Sequence, residues 1–136
     1  GLTIIPTVTK GTNNEILTAD ATIKRTDLGT GTNTNAASRN HERSLGNADD
    51  DAGHMIGKQL GGSGGKKNVF PQDFHVNRGE FAQFEGRVAD FVGLHGQADI
   101  QIKFQYKNGG TRPTKITYTA TAPDKSKIKK TFKNTH

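Results

Sequence analysis

His54, Asn77 and Glu85 are the residues whose types and spacing could do chemistry together, within the stretch DDDAGHMIGKQLGGSGGKKNVFPQDFHVNRGEFAQFE from Asp49 to Glu85. A histidine supplies a base that works near neutral pH, and an asparagine side-chain carbonyl is a hard oxygen ligand suited to Mg²⁺. Together they suit metal-assisted attack of water on a phosphodiester. Each also has a plainer account. His54, ahead of Met55-Ile56, reads alone as a half-buried structural histidine. Asn77 reads as a helix N-cap, with Glu80 completing a capping box and Val76 and Phe81 forming a hydrophobic staple.

These residues need a strand, a connection and a helix to hold them. The segment ending at His54 is expected to be a short strand, and Asn68 to Phe70 the strand that returns towards the helix. Gly53, with no Cβ, is expected to leave the histidine ring open to a phosphate. Helical spacing of Phe81, Phe84, Val88, Phe91 and Val92 predicts one main helix over about 78–94 with an apolar stripe facing a sheet. Residues 2–9 and 15–25 read as strands around a turn at 11–14, and the polar segment 28–48 reads as a long surface loop. Ile100, Ile102, Phe104 and Tyr106 alternate, as do Ile116, Tyr118 and Ala120, which predicts a hairpin over 98–122 turning at Asn108-Gly109-Gly110. Pro113 marks an edge or strand start, and 127–133 adds a further strand.

Composition bounds the rest. The 136 residues fit one domain, 1–136, with a lean core, since only 30% are apolar. Gly1 in place of Met suggests a piece cut from something longer, and the start lacks the pattern of a signal peptide. No cysteine is present, which excludes disulfides, thiolate metal sites and a thiol nucleophile. The net charge of +6 is uneven: residues 101–136 hold nine Lys or Arg against the single acid Asp124. That block suits a polyanion or an acidic protein, or is simply a solvated strand face. The segment Gly61 to Lys67 lacks the Ser or Thr and the following helix of a phosphate-binding loop, and reads as a flexible connection. His41, His75, His95 and His136 have no zinc-ligand spacing, although His75 could line a metal pocket.

The strings Asp50-Asp51-Ala52-Gly53-His54-Met55-Ile56, Gly61-Gly62-Ser63-Gly64-Gly65, Asn68-Val69-Phe70-Pro71-Gln72 and Val76-Asn77-Arg78-Gly79-Glu80, with the later pair Arg112-Pro113, resemble the DNA/RNA non-specific endonucleases. The likeness spans roughly residues 45–120, and the most similar subgroup is that found as C-terminal toxin domains of bacterial secreted effectors. The resemblance implies an α+β fold: a mainly antiparallel sheet with a ββα-metal (His-Me finger) unit over about 48–94 and a basic hairpin over about 98–122. It also implies an Mg²⁺-dependent endonuclease, with Mn²⁺ able to substitute, acting on DNA, with RNA as a further candidate substrate. His54 would be the general base, Asn77 the metal ligand, and Glu85 would hold waters of the metal shell. Ala52 stands where the better-known Asp-Arg-Gly-His form has arginine. Lys58, Arg78 and Arg87 are the candidates to contact substrate in its place, and Asp51 either orients His54 or belongs to a solvated acidic turn. An acidic immunity protein and secretion or delivery into a target cell follow from the same resemblance. The competing reading is a non-catalytic nucleic-acid-binding module on this fold.

Overall fold

The computed structural model describes residues 2–136; Gly1 lies outside the described residues. In chain order the elements are β1 (Thr7–Lys10), β2 (Ile16–Lys24), α1 (Ala36–Leu45), β3 (Asp51–His54), β4 (Val69–Gln72), α2 (Phe74–Arg78), α3 (Glu80–His95), β5 (Gln97–Gln105), β6 (Lys115–Thr121) and β7 (Lys127–Lys133). Strands β1, β2, β5, β6 and β7 pair in that order into one antiparallel sheet, while β3 and β4 form a separate two-stranded ribbon. The chain is thus α+β, with a mainly antiparallel sheet and one main helix, as expected.

Alternation along the sheet sends Ala98, Ile100, Ile102 and Phe104 of β5 and Ile116, Tyr118 and Ala120 of β6 inwards. Against them α3 buries Phe81, Phe84, Val88 and Val92, with Phe91 half-buried at the margin of the same stripe. The Phe81 and Phe84 rings meet Tyr118 edge-on at 5.8 and 5.2 Å between centroids, and Phe132 of β7 closes the cluster. Truncating either phenylalanine to alanine would cost about 3–5 kcal/mol, the usual range for a core aromatic. The other sheet face meets solvent and carries the exposed Lys103, Lys127, Lys129 and Lys133, so much of the basic block stands away from the helical layer.

Several local expectations are corrected. The 28–48 segment contains α1, whose inward residues are the buried Ser38 and Glu42 rather than an apolar stripe. Its start is set by a reciprocal pair: the Ser38 amide donates to Asn35 Oδ1 at 2.9 Å, and the Asn35 amide to Ser38 Oγ at 3.0 Å. The main helix does not begin at an Asn77 cap. A separate turn, α2, precedes it and is capped by Asp73, whose carboxylate accepts from the Val76 amide at 3.0 Å. Asn77 lies inside α2, Gly79 breaks the helix at φ −111° and ψ −108°, and Glu80 faces Lys130 at 3.7 Å instead of completing a capping box. The first strand starts only at Thr7, although Ile4 makes a parallel bridge to Gly62. The β5–β6 connection runs from 106 to 114, longer than a tight turn at 108–110, and Arg112 within it reaches Asp50.

Candidate active site

The β3–β4 ribbon sets His54 opposite Val69, at the end of a strand of four residues. The chain beyond His54 is pinned by Asn68, which is fully buried: its Oδ1 accepts from the Ile56 amide at 2.9 Å, and its Nδ2 donates to the carbonyls of Ile56 and Ser63 at 2.9 and 2.7 Å. The imidazole is oriented by main chain. Its Nε2 lies 2.8 Å from the Thr32 carbonyl oxygen, and since a carbonyl only accepts, Nε2 carries the proton and Nδ1 keeps the lone pair. Thr32 is held in turn by the glycine-rich segment. Its amide donates to the Gly62 carbonyl at 3.1 Å, and its hydroxyl accepts from the Gly64 amide at 2.8 Å. A Cβ at Gly62 or Gly64 would collide with the carbonyl of Ile56 or Asn33, so this segment is a tightly packed support and not the flexible connection expected. Gly53 also differs from expectation. Its missing side chain makes room for the buried Gln72, not for a phosphate at the ring.

Asp51, at the other end of β3, does not touch the His54 ring. Its carboxylate accepts from Asn77 Nδ2 at 2.9 Å and takes a two-pronged contact from Arg78, 2.9 Å from Nε and 2.7 Å from Nη2. The Asn77 bond settles which way the amide faces: the NH₂ is spent on Asp51, so Oδ1 is turned away and presented as a free hard oxygen. Arg78 is mostly exposed, with the rest of its guanidinium donors facing solvent beside Asn77, and Asp51 raises its pKa further above its already high value. Main chain places Asn77 as well, its amide donating to the Asp73 carbonyl at 2.9 Å.

Glu85 is buried, unlike the exposed helix residue its sequence setting allows. Its carboxylate lies so close to Gly57, three residues after His54, that a Cβ there would strike it. Burial pushes its pKa up to about 8. Lys58 stands exposed in the short turn that follows, and its carbonyl accepts from the Gly31 amide next to Thr32. Arg87 is not brought to this site; its guanidinium covers the Phe84 ring at 5.3 Å, in a hollow it shares with Leu94 and Ile128. His75 is exposed and stacks on His136.

Sequence reasoning missed two further groups. Arg112 clamps Asp50 through contacts of 2.7 and 2.9 Å, tying the β5–β6 loop to the residue before β3. Glu42 of α1 sits buried near Asp50, and burial first, then that neighbouring charge, pushes its pKa up to about 7. The Arg112-Pro113 pair was a visible signal; the inward Glu42 had none.

Among the described residues no three His, Cys, Asp or Glu side chains converge on a point that could hold a metal. The donors present are of another kind: a fixed neutral amide oxygen on Asn77 and, at the loop after His54, the Glu85 carboxylate. A single amide oxygen completed by water and substrate oxygens fits Mg²⁺, which keeps much of its hydration.

The ββα unit thus carries a histidine oriented by main chain and an asparagine oriented by a carboxylate, an arrangement suited to phosphodiester hydrolysis. Residues 12–123 match the family model described as DNA/RNA non-specific endonuclease, and the chain belongs to that family. It is a nuclease domain. The chain is 54% identical over 118 residues to a protein named probable deoxyribonuclease RhsA from Dickeya dadantii (strain 3937), a match covering 87% of this chain and 8% of that protein's length. The fold is similar to that of an extracellular endonuclease, with a TM-score of 0.68 and 12% identity over 96% of this chain and 78% of the other. A second neighbour, an extracellular nuclease, has a TM-score of 0.61 and 10% identity, covering 96% and 84%.

Proposed function

We propose that this domain cuts DNA endonucleolytically with Mg²⁺, or Mn²⁺ in its place, as the toxic portion of a larger bacterial protein that is secreted or delivered into a target cell. The observation that carries the chemistry is the pair of fixed orientations: Thr32 leaves His54 Nδ1 as the basic atom, and Asp51 leaves Asn77 Oδ1 as the ligand. His54 Nδ1 takes a proton from the attacking water as its oxygen closes on phosphorus, and the Nε2–H bond to Thr32 stabilises the imidazolium that forms. Asn77 Oδ1 would hold the Mg²⁺, with Glu85 holding waters of its shell; when bound, the ion supplies charge stabilisation at phosphorus and the leaving oxygen. Arg78, fixed by Asp51, offers its remaining donors to a phosphate oxygen and takes over from the arginine absent at Ala52, with Lys58 as a second cation near the His54 turn.

DNA as substrate is supported by the deoxyribonuclease name of the relative, and delivery by the small share of that protein this chain spans. No helix among the described residues is long and apolar enough to cross a membrane. An acidic immunity protein is the partner expected for a producing cell, and the lysine-bearing sheet face is complementary to it in charge. The test is plasmid DNA and, separately, RNA incubated with the protein and Mg²⁺, with and without EDTA. Nicking of plasmid that stops in EDTA is expected. Undiminished cleavage in excess chelator overturns the metal reading, and binding without cleavage at any divalent ion concentration would favour the non-catalytic module.

A further inference from the structure

We propose that Asn134 and His136 are positioning residues for the Asn77 ligand, acting through Asp73, an inference that rests on the reading of Asn77 above. The helix that carries Asn77 is only five residues long, and a helix of one turn has almost no stability of its own. Its placement must therefore come from outside: Asp51 holds the side chains of Asn77 and Arg78, Val76 is buried in the core, and the contacts to the backbone of the turn converge on Asp73. The Asp73 carbonyl holds the Asn77 amide at 2.9 Å, and one carboxylate oxygen caps the turn at Val76. The two remaining polar groups of Asp73 are both taken by the segment after β7. Its backbone N–H donates to Asn134 Oδ1 at 2.8 Å, and its second carboxylate oxygen accepts from His136 Nδ1 at 2.6 Å.

Asn134 is almost fully buried and uses its whole amide. Its Nδ2 donates to the carbonyls of Pro71, on β4, and Pro113, ahead of β6, at 3.1 and 2.8 Å, while its own backbone N–H donates to Thr114 at 3.0 Å. One side chain thus joins the ribbon, the large sheet and the start of α2. The His136 ring covers the outside of the same turn, stacked on His75 at 5.5 Å and edge-on to Phe74 at 5.0 Å. The resulting strap runs from the edge strand to the ligand turn, and it lies beyond residues 12–123, the part matched by the family model. A plain stabilising role for the strap would protect the whole domain equally. A positioning role would show at Asn77 first.

The test compares His136→Ala, His136→Asn, Asn134→Ala and Asn77→Ala with the parent. Mn²⁺ binding to the protein without DNA is followed by electron paramagnetic resonance of the free ion, alongside the Mg²⁺ half-saturation of plasmid nicking, kcat and KM for DNA, and Tm. His136→Ala is expected to weaken Mn²⁺ binding and raise the Mg²⁺ half-saturation about 10-fold, the lower end of what loss of a supporting contact costs a metal site, with KM for DNA unchanged. His136→Asn should recover most of this, because its Nδ2 stands where the imidazole Nδ1 stood. Asn134→Ala should show the same shift with a lower Tm; if it does not fold, the His136 pair decides. Parental Mn²⁺ affinity in His136→Ala, or no recovery in His136→Asn, while Asn77→Ala has lost Mn²⁺, overturns the strap alone. Parental Mn²⁺ affinity in Asn77→Ala overturns the ligand reading and the strap with it.

Discussion

Replacing Asp51 with alanine separates the two roles a carboxylate can have at this place. In the structure Asp51 accepts one bond from Asn77 and two from Arg78. The Arg78 pair is solvent-exposed on the arginine side and adds little to stability. The Asn77 bond goes to a carboxylate and is worth about 1.5 kcal/mol, the low end for a charged acceptor because Asp51 is only partly buried. The fold should therefore lose about 1.5 kcal/mol, which for a domain of this size lowers Tm by about 5–7 °C. Catalysis should lose more. Without Asp51 the Asn77 amide can turn its NH₂ towards the metal position, and Arg78 is no longer held beside it. A displacement of about 1 Å in such a group costs about 100-fold in rate. The assay is nicking of supercoiled plasmid at 25 °C and saturating Mg²⁺, with Tm followed by circular dichroism. A folded Asp51→Ala protein within threefold of the parent rate would mean that Asp51 orients nothing needed for turnover, and the fixed-amide argument would fail.

His54→Ala should keep a near-parental Tm, since the ring makes one recorded hydrogen bond and is half-buried, but nicking should fall at least about 100-fold; retention of a tenth of the rate points to another base. Two buried acids set the pH dependence of stability without divalent ions. Glu42 and Glu85 have pKa values raised to about 7 and about 8, so the folded state holds protons that the unfolded state releases above about 4.5. Their contribution is full below that point and is lost as pH climbs, through about 7 for Glu42 and about 8 for Glu85. Urea titrations from pH 5 to 9 should show that decline, with Glu42→Gln flattening it below about 7, and Glu85→Gln flattening it there and also between about 7 and about 8; unchanged slopes in both variants would contradict it. Gly53→Ala should destabilise by about 1–3 kcal/mol through overpacking against Gln72, and less in a Gln72→Ala background. Equal losses in the two backgrounds would show that the clash lies elsewhere.

The apolar face of the main helix and the alternating strands were legible because each follows one period over several residues, as in Ile100, Ile102 and Phe104, whereas the short ribbon, buried along all of β4, showed only through the motifs at His54 and Asn68. α1 was hidden because its buried face is Ser38 and Glu42, so the apolar signal of a packed helix is missing. The division of α2 from α3 was hidden because Asn77, Arg78 and Gly79 read equally well as a cap and first turn, and only the bond of Val76 to Asp73 shows where the helix starts. His54, Asn77 and Glu85 could be picked out by chemical type. Their orientation could not, since it depends on a Thr32 carbonyl far upstream and on an Asp51 contact that only tertiary folding creates. The place of Arg87, over the Phe84 ring, was hidden as well, because it follows from helical phase and not from residue type.

The Thr32 carbonyl has a consequence for how this domain can vary. Every residue type carries a main-chain carbonyl, so the group that aims the histidine cannot be deleted by a point mutation at its own position. The vulnerable places are instead the small residues Gly62 and Gly64, whose lack of side chains lets the supporting loop lie against it. Random mutagenesis that screens for loss of nuclease activity should therefore gather hits at those glycines and few at Thr32, an inverted map in which the orienting residue looks dispensable and its neighbours look essential.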